Sequence, residues 1–263
     1  MKGHFITTLG FTVLFAGIAS ALYFPSPTSV RAFALPQQEP VTPAPAKSPS
    51  VAKVRVIVID AGHGGIDAGA TSTGALEKDL TLVIARKLRQ TLQNRFGATV
   101  LLTRDSDIAL TSEARSAVAN NNQADLFISI HVGYSANKSD LGSSVYVIQE
   151  NFAASSLSAT ERPQRLFLPW YQGYRRHRDE SVTVATILGE ELSTSLPGWT
   201  FPLRTGPVGV LASTVMPGVL IEIGNLNNIA STQALMDDAF QNRFSNTVAG
   251  AIERFAASRQ ATR

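Results

Sequence analysis

One stretch of the sequence restricts the fold more than any other, the apolar run VRVIVID at 54–60. Its β-branched residues are nearly continuous, which is typical of a strand buried on both faces of a parallel sheet. Beyond a Gly-rich turn, an amphipathic helix is indicated by an apolar stripe with a spacing of four residues, formed by Leu80, Ile84, Leu88 and Leu92. This succession of a buried strand and an amphipathic helix favours an α/β fold.

The same alternation continues along the chain. Further strands are predicted at 98–104, 125–131, 143–148 and 218–224, and helices at 77–93, 111–121, 181–193 and 232–257. Strands that alternate with helices favour a mainly parallel sheet that helices cover on both faces. Hydrophobic residues make up 44% of the chain and charged residues 16%, as in globular proteins. We therefore expect one α/β domain over residues 54–258, followed by a short tail at 259–263.

The N-terminal region differs from the rest of the chain. Residues 1–24 start with a lysine at position 2 and continue without charge from Phe5 to Phe24, which predicts a signal peptide or an N-terminal anchor. The small residues at 19–21 offer a cleavage site. Residues 25–53 are rich in Pro, Ala and Ser, a composition that predicts a disordered linker. We expect an exported protein of the periplasm or cell envelope.

Composition also excludes some kinds of site. The formal net charge of +3 is small and scattered, which argues against nucleic acid as a partner. The chain has no cysteine, so it contains neither disulfides nor a zinc site built from thiolates. Any metal ion must therefore be held by histidines and carboxylates.

Three residues lie at or near the ends of predicted strands, namely His63, His131 and Glu222. In parallel sheets, functional residues gather beyond the carboxyl ends of the strands. Glu222 interrupts the apolar run VLIEIG, where a carboxylate is costly to bury without a partner or a functional role. One strand-end histidine is commonly structural, but two of them in one sheet favour a metal site.

Two imidazoles with a carboxylate are a ligand set that zinc prefers. A catalytic zinc site takes three protein ligands and keeps one position for water, so a third ligand is required. Glu77 begins the first predicted helix, a short loop after His63, and is the candidate. The alternative is a first-turn carboxylate that the helix dipole stabilises, and the spacing alone leaves both interpretations open.

The glycines around His63, at positions 62, 64 and 65, have two explanations. They form a phosphate-binding turn, or they allow tight backbone geometry around a ligand. A phosphate loop has a following Lys and Ser or Thr, or a full GxGxxG pattern, and neither is present. We therefore favour the tight backbone geometry.

Five blocks of the sequence, in this order, resemble the zinc-dependent N-acetylmuramoyl-L-alanine amidases of the amidase-3 family: VIVIDAGHGGIDAGA, EKDLTLVIARKL, TRDSD, RSAVANNNQADLFISIH and PGVLIEIGNLNN. The resemblance covers about residues 54–258. It implies a single domain with a six-stranded sheet, one zinc ion bound by His63, Glu77 and His131, and Glu222 as the catalytic glutamate.

The activity that the resemblance implies is hydrolysis of the amide between the lactyl group of N-acetylmuramic acid and L-alanine in peptidoglycan. Glu222 is expected to act first as a general base towards water and then as a general acid towards the departing amine. Such an activity serves cell-wall remodelling or daughter-cell separation. Peptidoglycan is the expected partner, with an activator protein as a further candidate and the membrane as a partner only through an uncleaved N-terminal segment.

Five further polar residues match family positions. Asp60 either orients a ligand histidine or has a structural role in the turn. We interpret the others as mainly structural, namely Arg104, Arg115, Asn120 and Asp125.

The chain departs from the family pattern in three places. Val132 and Gly133 stand where the family usually has a small residue and then Asn, and Asn225 replaces an aromatic residue. These two changes concern substrate contacts more than the metal site. The segment 151–178 fits poorly and is interpreted as a surface insertion, a wall that contacts glycan, or a lid. We do not expect His177, within this segment, to bind metal.

Two other functions stay open at this stage. The first is a zinc peptidase or deacylase that acts on another cell-wall amide, because the ligand set defines the reaction better than the substrate. The second is a catalytically inactive wall-binding module.

Overall fold

The buried strand at the start of the domain occupies Val56–Ala61 (β1) and lies second in a six-stranded sheet. The structure is a computed structural model that describes residues 54–72, 74–152 and 170–261. The predictions for residues 1–24 and 25–53, and for most of the segment 151–178, therefore lie outside the described residues.

The other strands of this sheet are β4 (Thr99–Leu102), β5 (Leu126–Gly133), β6 (Ser144–Ile148), β7 (Leu203–Gly206) and β8 (Gly218–Asn225). Their order across the sheet is β4–β1–β5–β8–β6–β7. The strands β4, β1, β5 and β8 are parallel, whereas β6 runs antiparallel to β8 and carries β7 parallel to itself. A small hairpin, β2 (Thr71–Ser72) with β3 (Ala75–Leu76), precedes the first helix. The predicted mainly parallel six-stranded sheet is confirmed.

Helices cover both faces of this sheet, as predicted. They are α1 (Glu77–Phe96), α2 (Ser112–Asn121), α3 (Arg178–Ser195), α4 (Ile229–Met236) and α5 (Asp238–Ala261), with 3-10 turns at Trp170–His177 and Gly209–Leu211. The larger apolar core packs α1, α3 and α5 against one face. A smaller cluster packs α2 and the turn at Gly209–Leu211 against the other face. Within the described residues, no helix is both long and apolar enough to cross a membrane.

The structure adds one strand to the prediction and corrects one helix. The strand β7 was not located from the pattern, because it lies at the edge of the sheet and three of its four residues are exposed. The single helix predicted at 232–257 is two helices. Asp237 separates them with an extended backbone, and its carboxylate accepts a hydrogen bond from the N–H of Phe240 at 2.8 Å. A carboxylate that caps the next helix in this way ends one helix and begins another.

Candidate metal centre

The two strand-end histidines and Glu222 lie on three neighbouring strands. His63 follows β1, His131 lies near the end of β5, and Glu222 lies on β8 directly opposite His131 in the parallel register. Glu77 is the first residue of α1, which begins beside the same edge of the sheet. The fold therefore brings together all four residues that the sequence predicts for the site.

Glu77 lies between the two histidines. Its Oε2 is 3.1 Å from Nε2 of His63, and its Oε1 is 2.9 Å from Nδ1 of His131. One ligand atom from each residue lies within 4.8 Å of the other two. Ligands about 2.1 Å from a shared zinc ion in a tetrahedral site lie roughly 3.4 Å apart. The two imidazoles and the carboxylate therefore fit a zinc ion with small side-chain adjustments.

The surroundings of Glu77 hold its carboxylate in the charged form. The side chain is buried, and its oxygens accept hydrogen bonds from the N–H groups of Ala70 at 2.7 Å and Val132 at 2.9 Å. Burial alone would raise the pKa of Glu77, but hydrogen bonds with His131 and His63 outweigh it and lower that pKa to about 2. Because the carboxylate faces these partners, its position supports the ligand interpretation over a role limited to the helix dipole.

His63 has an unusual backbone conformation, with φ at 58°. Left-handed backbone is uncommon for a residue with a Cβ atom and concentrates at functional sites. Asp67 fixes the ring, since its Oδ2 lies 2.8 Å from Nδ1 of His63. The hydrogen bond with Glu77 raises the pKa of His63, burial opposes it, and Asp67 adds to the rise. Sequence reasoning missed Asp67, because a spacing of four residues in a Gly-rich loop does not by itself bring two side chains into contact.

Two glycines make room for the cluster. A Cβ atom on Gly62 would lie 2.5 Å from Cε1 of His131, and one on Gly69 would lie 2.5 Å from Oε2 of Glu77. Gly69 also has φ at 66°, in the left-handed region that glycine tolerates best. The close approach at Gly62 supports the predicted tight backbone geometry around a ligand.

Asp60 contacts neither histidine among the hydrogen bonds of the described residues. Its carboxylate is fully buried and accepts hydrogen bonds from Thr103 Oγ1 at 2.6 Å, Ser129 Oγ at 2.7 Å and Arg115 Nη1 at 2.8 Å. The sequence leaves two roles open for Asp60, and these contacts support the structural one.

The two arginines of the family pattern support the loop that carries His63. Arg104 is buried and donates to the carbonyl oxygens of Ala61 at 2.9 Å and Gly62 at 2.7 Å. Arg115 donates to the carbonyl oxygens of Ala61 at 2.7 Å and His63 at 2.8 Å. The predicted structural roles of Asn120 and Asp125 also agree with their contacts, which are to backbone groups.

Glu222 faces two pockets. The polar pocket, of about 490 Å³, is lined by Asp140, Ser144, Tyr146, Arg204 and Glu222 among others. The second pocket, of about 360 Å³, shares Tyr146 and Glu222 with the first and adds His131, Val208 and Leu220. Glu222 therefore lines both pockets, beside the cluster of His63, Glu77 and His131.

The electrostatic surroundings of Glu222 differ from those of Glu77. Burial raises the pKa of Glu222, while a hydrogen bond with the hydroxyl of Tyr146 opposes that rise. The pKa values of the two carboxylates are therefore shifted in opposite directions, which favours the anion more strongly at Glu77 than at Glu222. Such a pair is suited to one carboxylate that binds a cation and one that transfers protons.

Asn225, which replaces an aromatic residue of the family pattern, makes hydrogen bonds to a neighbouring loop. Its Oδ1 accepts a hydrogen bond from the N–H of Ser135 at 2.9 Å, and its Nδ2 donates to the carbonyl oxygen of Asp140 at 2.9 Å. These hydrogen bonds of Asn225 hold the loop 134–142, which lines the polar pocket.

Part of the segment 151–178 lies within the described residues. Tyr174 of this segment is buried and donates a hydrogen bond to the carbonyl oxygen of Glu150 at 3.2 Å.

A mainly parallel α/β sheet with a His/Glu/His cluster and a further carboxylate at its carboxyl edge is an arrangement suited to metal-assisted hydrolysis. Residues 57–254 match the family model described as N-acetylmuramoyl-L-alanine amidase. Because this match covers more than half of the chain, the protein belongs to that family.

Three similar proteins illustrate the relationship. The uncharacterized protein YqiI of Bacillus subtilis is 30% identical over 201 residues, which cover 76% of this chain and 84% of YqiI. The N-acetylmuramoyl-L-alanine amidase AmiC of Escherichia coli is 29% identical over 221 residues, which cover 77% of this chain but only 53% of AmiC. The catalytic domain of the amidase CwlV from Bacillus (Paenibacillus) polymyxa has a TM-score of 0.62 and 29% identity, and the match covers 76% of this chain and 97% of that domain.

Proposed function

We propose that this domain uses one zinc ion to hydrolyse the amide bond between N-acetylmuramic acid and L-alanine in bacterial peptidoglycan. The observation that carries the proposal is the cluster of His63, Glu77 and His131 with Glu222 beside it, in a chain of the amidase family. The reaction would release the stem peptide from the glycan strand.

The chemistry of the donor set supports zinc. Two imidazole nitrogens and one carboxylate oxygen are ligands that zinc prefers, and the ligand number leaves a position for water. His63, Glu77 and His131 would hold the ion, with Asp67 orienting the ring of His63. When bound there, zinc supplies a Lewis acid that polarises the scissile carbonyl and lowers the pKa of water.

Glu222 is the group that moves the proton in this proposal. Its carboxylate would accept a proton from the attacking water and deliver it to the nitrogen of the departing L-alanine. The raised pKa of Glu222 supports this role, because a general base must also hold the proton long enough to give it to the amine. The hydrogen bond from Tyr146 would orient the carboxylate towards the junction of the two pockets.

Access to peptidoglycan requires export, and we propose that residues 1–24 provide it as a signal peptide or anchor. The uncharged run from Phe5 to Phe24 and the Pro-rich stretch at 25–53 support an exported domain on a tether. Cell-wall remodelling or daughter-cell separation is the corresponding role in the cell. An activator protein stays a candidate partner.

Digestion of purified peptidoglycan, followed by mass spectrometry of the products, tests the proposal. Free stem peptides that begin with L-alanine are expected, and a chelator should abolish their release. Fragments cut at another amide would instead favour the zinc peptidase or deacylase. If the zinc-loaded domain binds peptidoglycan and releases nothing, the wall-binding module is the better description.

A further inference from the structure

One cationic side chain that the proposed chemistry does not use lines the polar pocket. Arg204 lies on β7, and within the described part of the chain it is the only cationic residue that lines this pocket. None of the ion pairs among the described residues involves Arg204, although its charge is close enough to Glu222 to oppose the rise in the pKa of that carboxyl. An exposed guanidinium without an ion-pair contact, in a pocket beside the carboxylate of Glu222, suggests a ligand of opposite charge.

The sheet holds Arg204 on the same face as Glu222. Arg204 pairs with Tyr146 in the register of β7 and β6, and Ser144 pairs with Glu222 in the register of β6 and β8. Since residues two apart on a strand share a face, these four side chains lie on one side of the sheet. The Nε of Arg204 donates to Oγ of Ser144 at 2.9 Å, and Ser144 in turn donates to the carbonyl oxygen of Ser143. This anchoring orients the guanidinium without using its two Nη groups.

A guanidinium with both Nη groups available matches the geometry of a carboxylate, to which it donates two parallel hydrogen bonds. In the proposed substrate, the carboxyl group of muramic acid is consumed in the scissile amide and carries no charge. A carboxylate close to the reacting bond must therefore belong to the peptide. This reasoning rests on the proposed function and assigns the polar pocket to the peptide side of the bond.

We propose that Arg204 binds a carboxylate of the stem peptide and selects acidic peptides as the departing group. The loop 134–142, which Asn225 holds by hydrogen bonds, also lines the pocket and would contact the same peptide. The second pocket, with Val208 and Leu220 in its lining, is left for the uncharged muramoyl side.

The test uses two synthetic substrates, N-acetylmuramoyl-L-alanyl-glutamate and its derivative with both carboxylates converted to carboxamides. The wild-type domain should cleave the acidic peptide with a kcat/KM about 10–100-fold higher, the range expected for hydrogen bonds to a charged group. Arg204→Gln should lose this preference by slowing the acidic peptide and leaving the neutral one almost unchanged. Arg204→Lys should recover part of it, because a lysine keeps the charge but not the bidentate geometry.

Arg243→Gln, which removes an exposed arginine from α5, is the matched control and should keep the preference. If Arg204→Gln slows both peptides equally, Arg204 acts on Glu222 rather than on the substrate, and the assignment is overturned. Equal cleavage of the two peptides by the wild-type domain would also overturn it while leaving the proposed function intact. Failure of the wild-type domain to cleave either peptide would contradict the proposed function itself.

Discussion

Glu222 on β8 lies directly opposite His131 on β5, in the parallel register of the two strands. This pairing places the candidate proton-transfer group beside a candidate metal ligand by backbone geometry alone. Glu77 reaches the same point from the start of α1, with its carboxylate between the two histidines. Glu77 and Glu222 are thus positioned by different elements. Mutations can therefore separate their contributions to metal binding and to proton transfer.

Asp67 should affect zinc binding and activity through its contact with His63. Asp67→Asn removes the charge that fixes the ring of His63 but keeps a side chain of similar size. We expect zinc affinity or activity to fall by about 10–100-fold, as is usual when the partner of a ligand histidine is changed. Zinc competition with a chromophoric chelator measures the affinity. Asp238→Asn, which alters an exposed carboxylate on α5 that pairs with Lys87, is the control and should leave zinc affinity unchanged.

Gly62 should be intolerant of even one added methyl group. In Gly62→Ala the new Cβ would lie 2.5 Å from Cε1 of His131, so the ring must move out of the cluster. We expect weaker zinc binding and a large loss of activity in a protein that keeps its circular dichroism spectrum. Gly250→Ala on α5, where the added Cβ has its nearest neighbour at 3.9 Å, is the control and should behave as wild type. Normal zinc binding by Gly62→Ala would show that the close approach has no functional importance.

The buried pair of Arg115 and Asp60 should contribute to stability. Their side chains are 8% and 0% exposed, with Nη1 and Oδ1 2.8 Å apart. Arg115→Ala leaves the charge of Asp60 buried without its cation, which costs about 3–5 kcal/mol of unfolding free energy. Arg89→Ala breaks a surface pair with Asp105, which keeps Arg86, and should cost about 0–1 kcal/mol. Denaturant titrations of the two variants check this difference, and equal losses would contradict it.

Activity should depend on the protonation of Glu222. A general base acts as the anion, and burial raises the pKa of Glu222 above the ordinary value for glutamate, which is about 4.3. Because protonation occurs as pH falls through the raised pKa, kcat/KM should be full above it and decline below it. The profile is measured between about pH 4 and pH 9, with zinc content determined at each point. A decline that follows loss of zinc rather than protonation would contradict this explanation.

The sequence predicts those parts of the site that depend on the regular alternation of strands and helices. His63, His131 and Glu222 follow from apolar runs that end or are interrupted at polar residues. The start of the first helix makes Glu77 only a candidate, and the family resemblance favours it as a ligand. Asp67 and Arg204 were not found. Asp67 contacts His63 only because the loop has left-handed residues, and Arg204 lies on an edge strand with no apolar alternation. Contacts that depend on loop conformation or on strand order across the sheet are not encoded in a local pattern.

In the proposed mechanism Glu77 binds the metal and Glu222 transfers the proton. Zinc content and turnover are measured together for Glu222→Gln and Glu77→Ala, with circular dichroism to confirm that both variants are folded. Glu222→Gln should keep its zinc and lose turnover by about 10²–10⁴-fold, the usual contribution of general acid–base catalysis. Glu77→Ala should lose zinc and activity together. If Glu222→Gln loses its zinc while Glu77→Ala keeps it, the two roles assigned here are reversed.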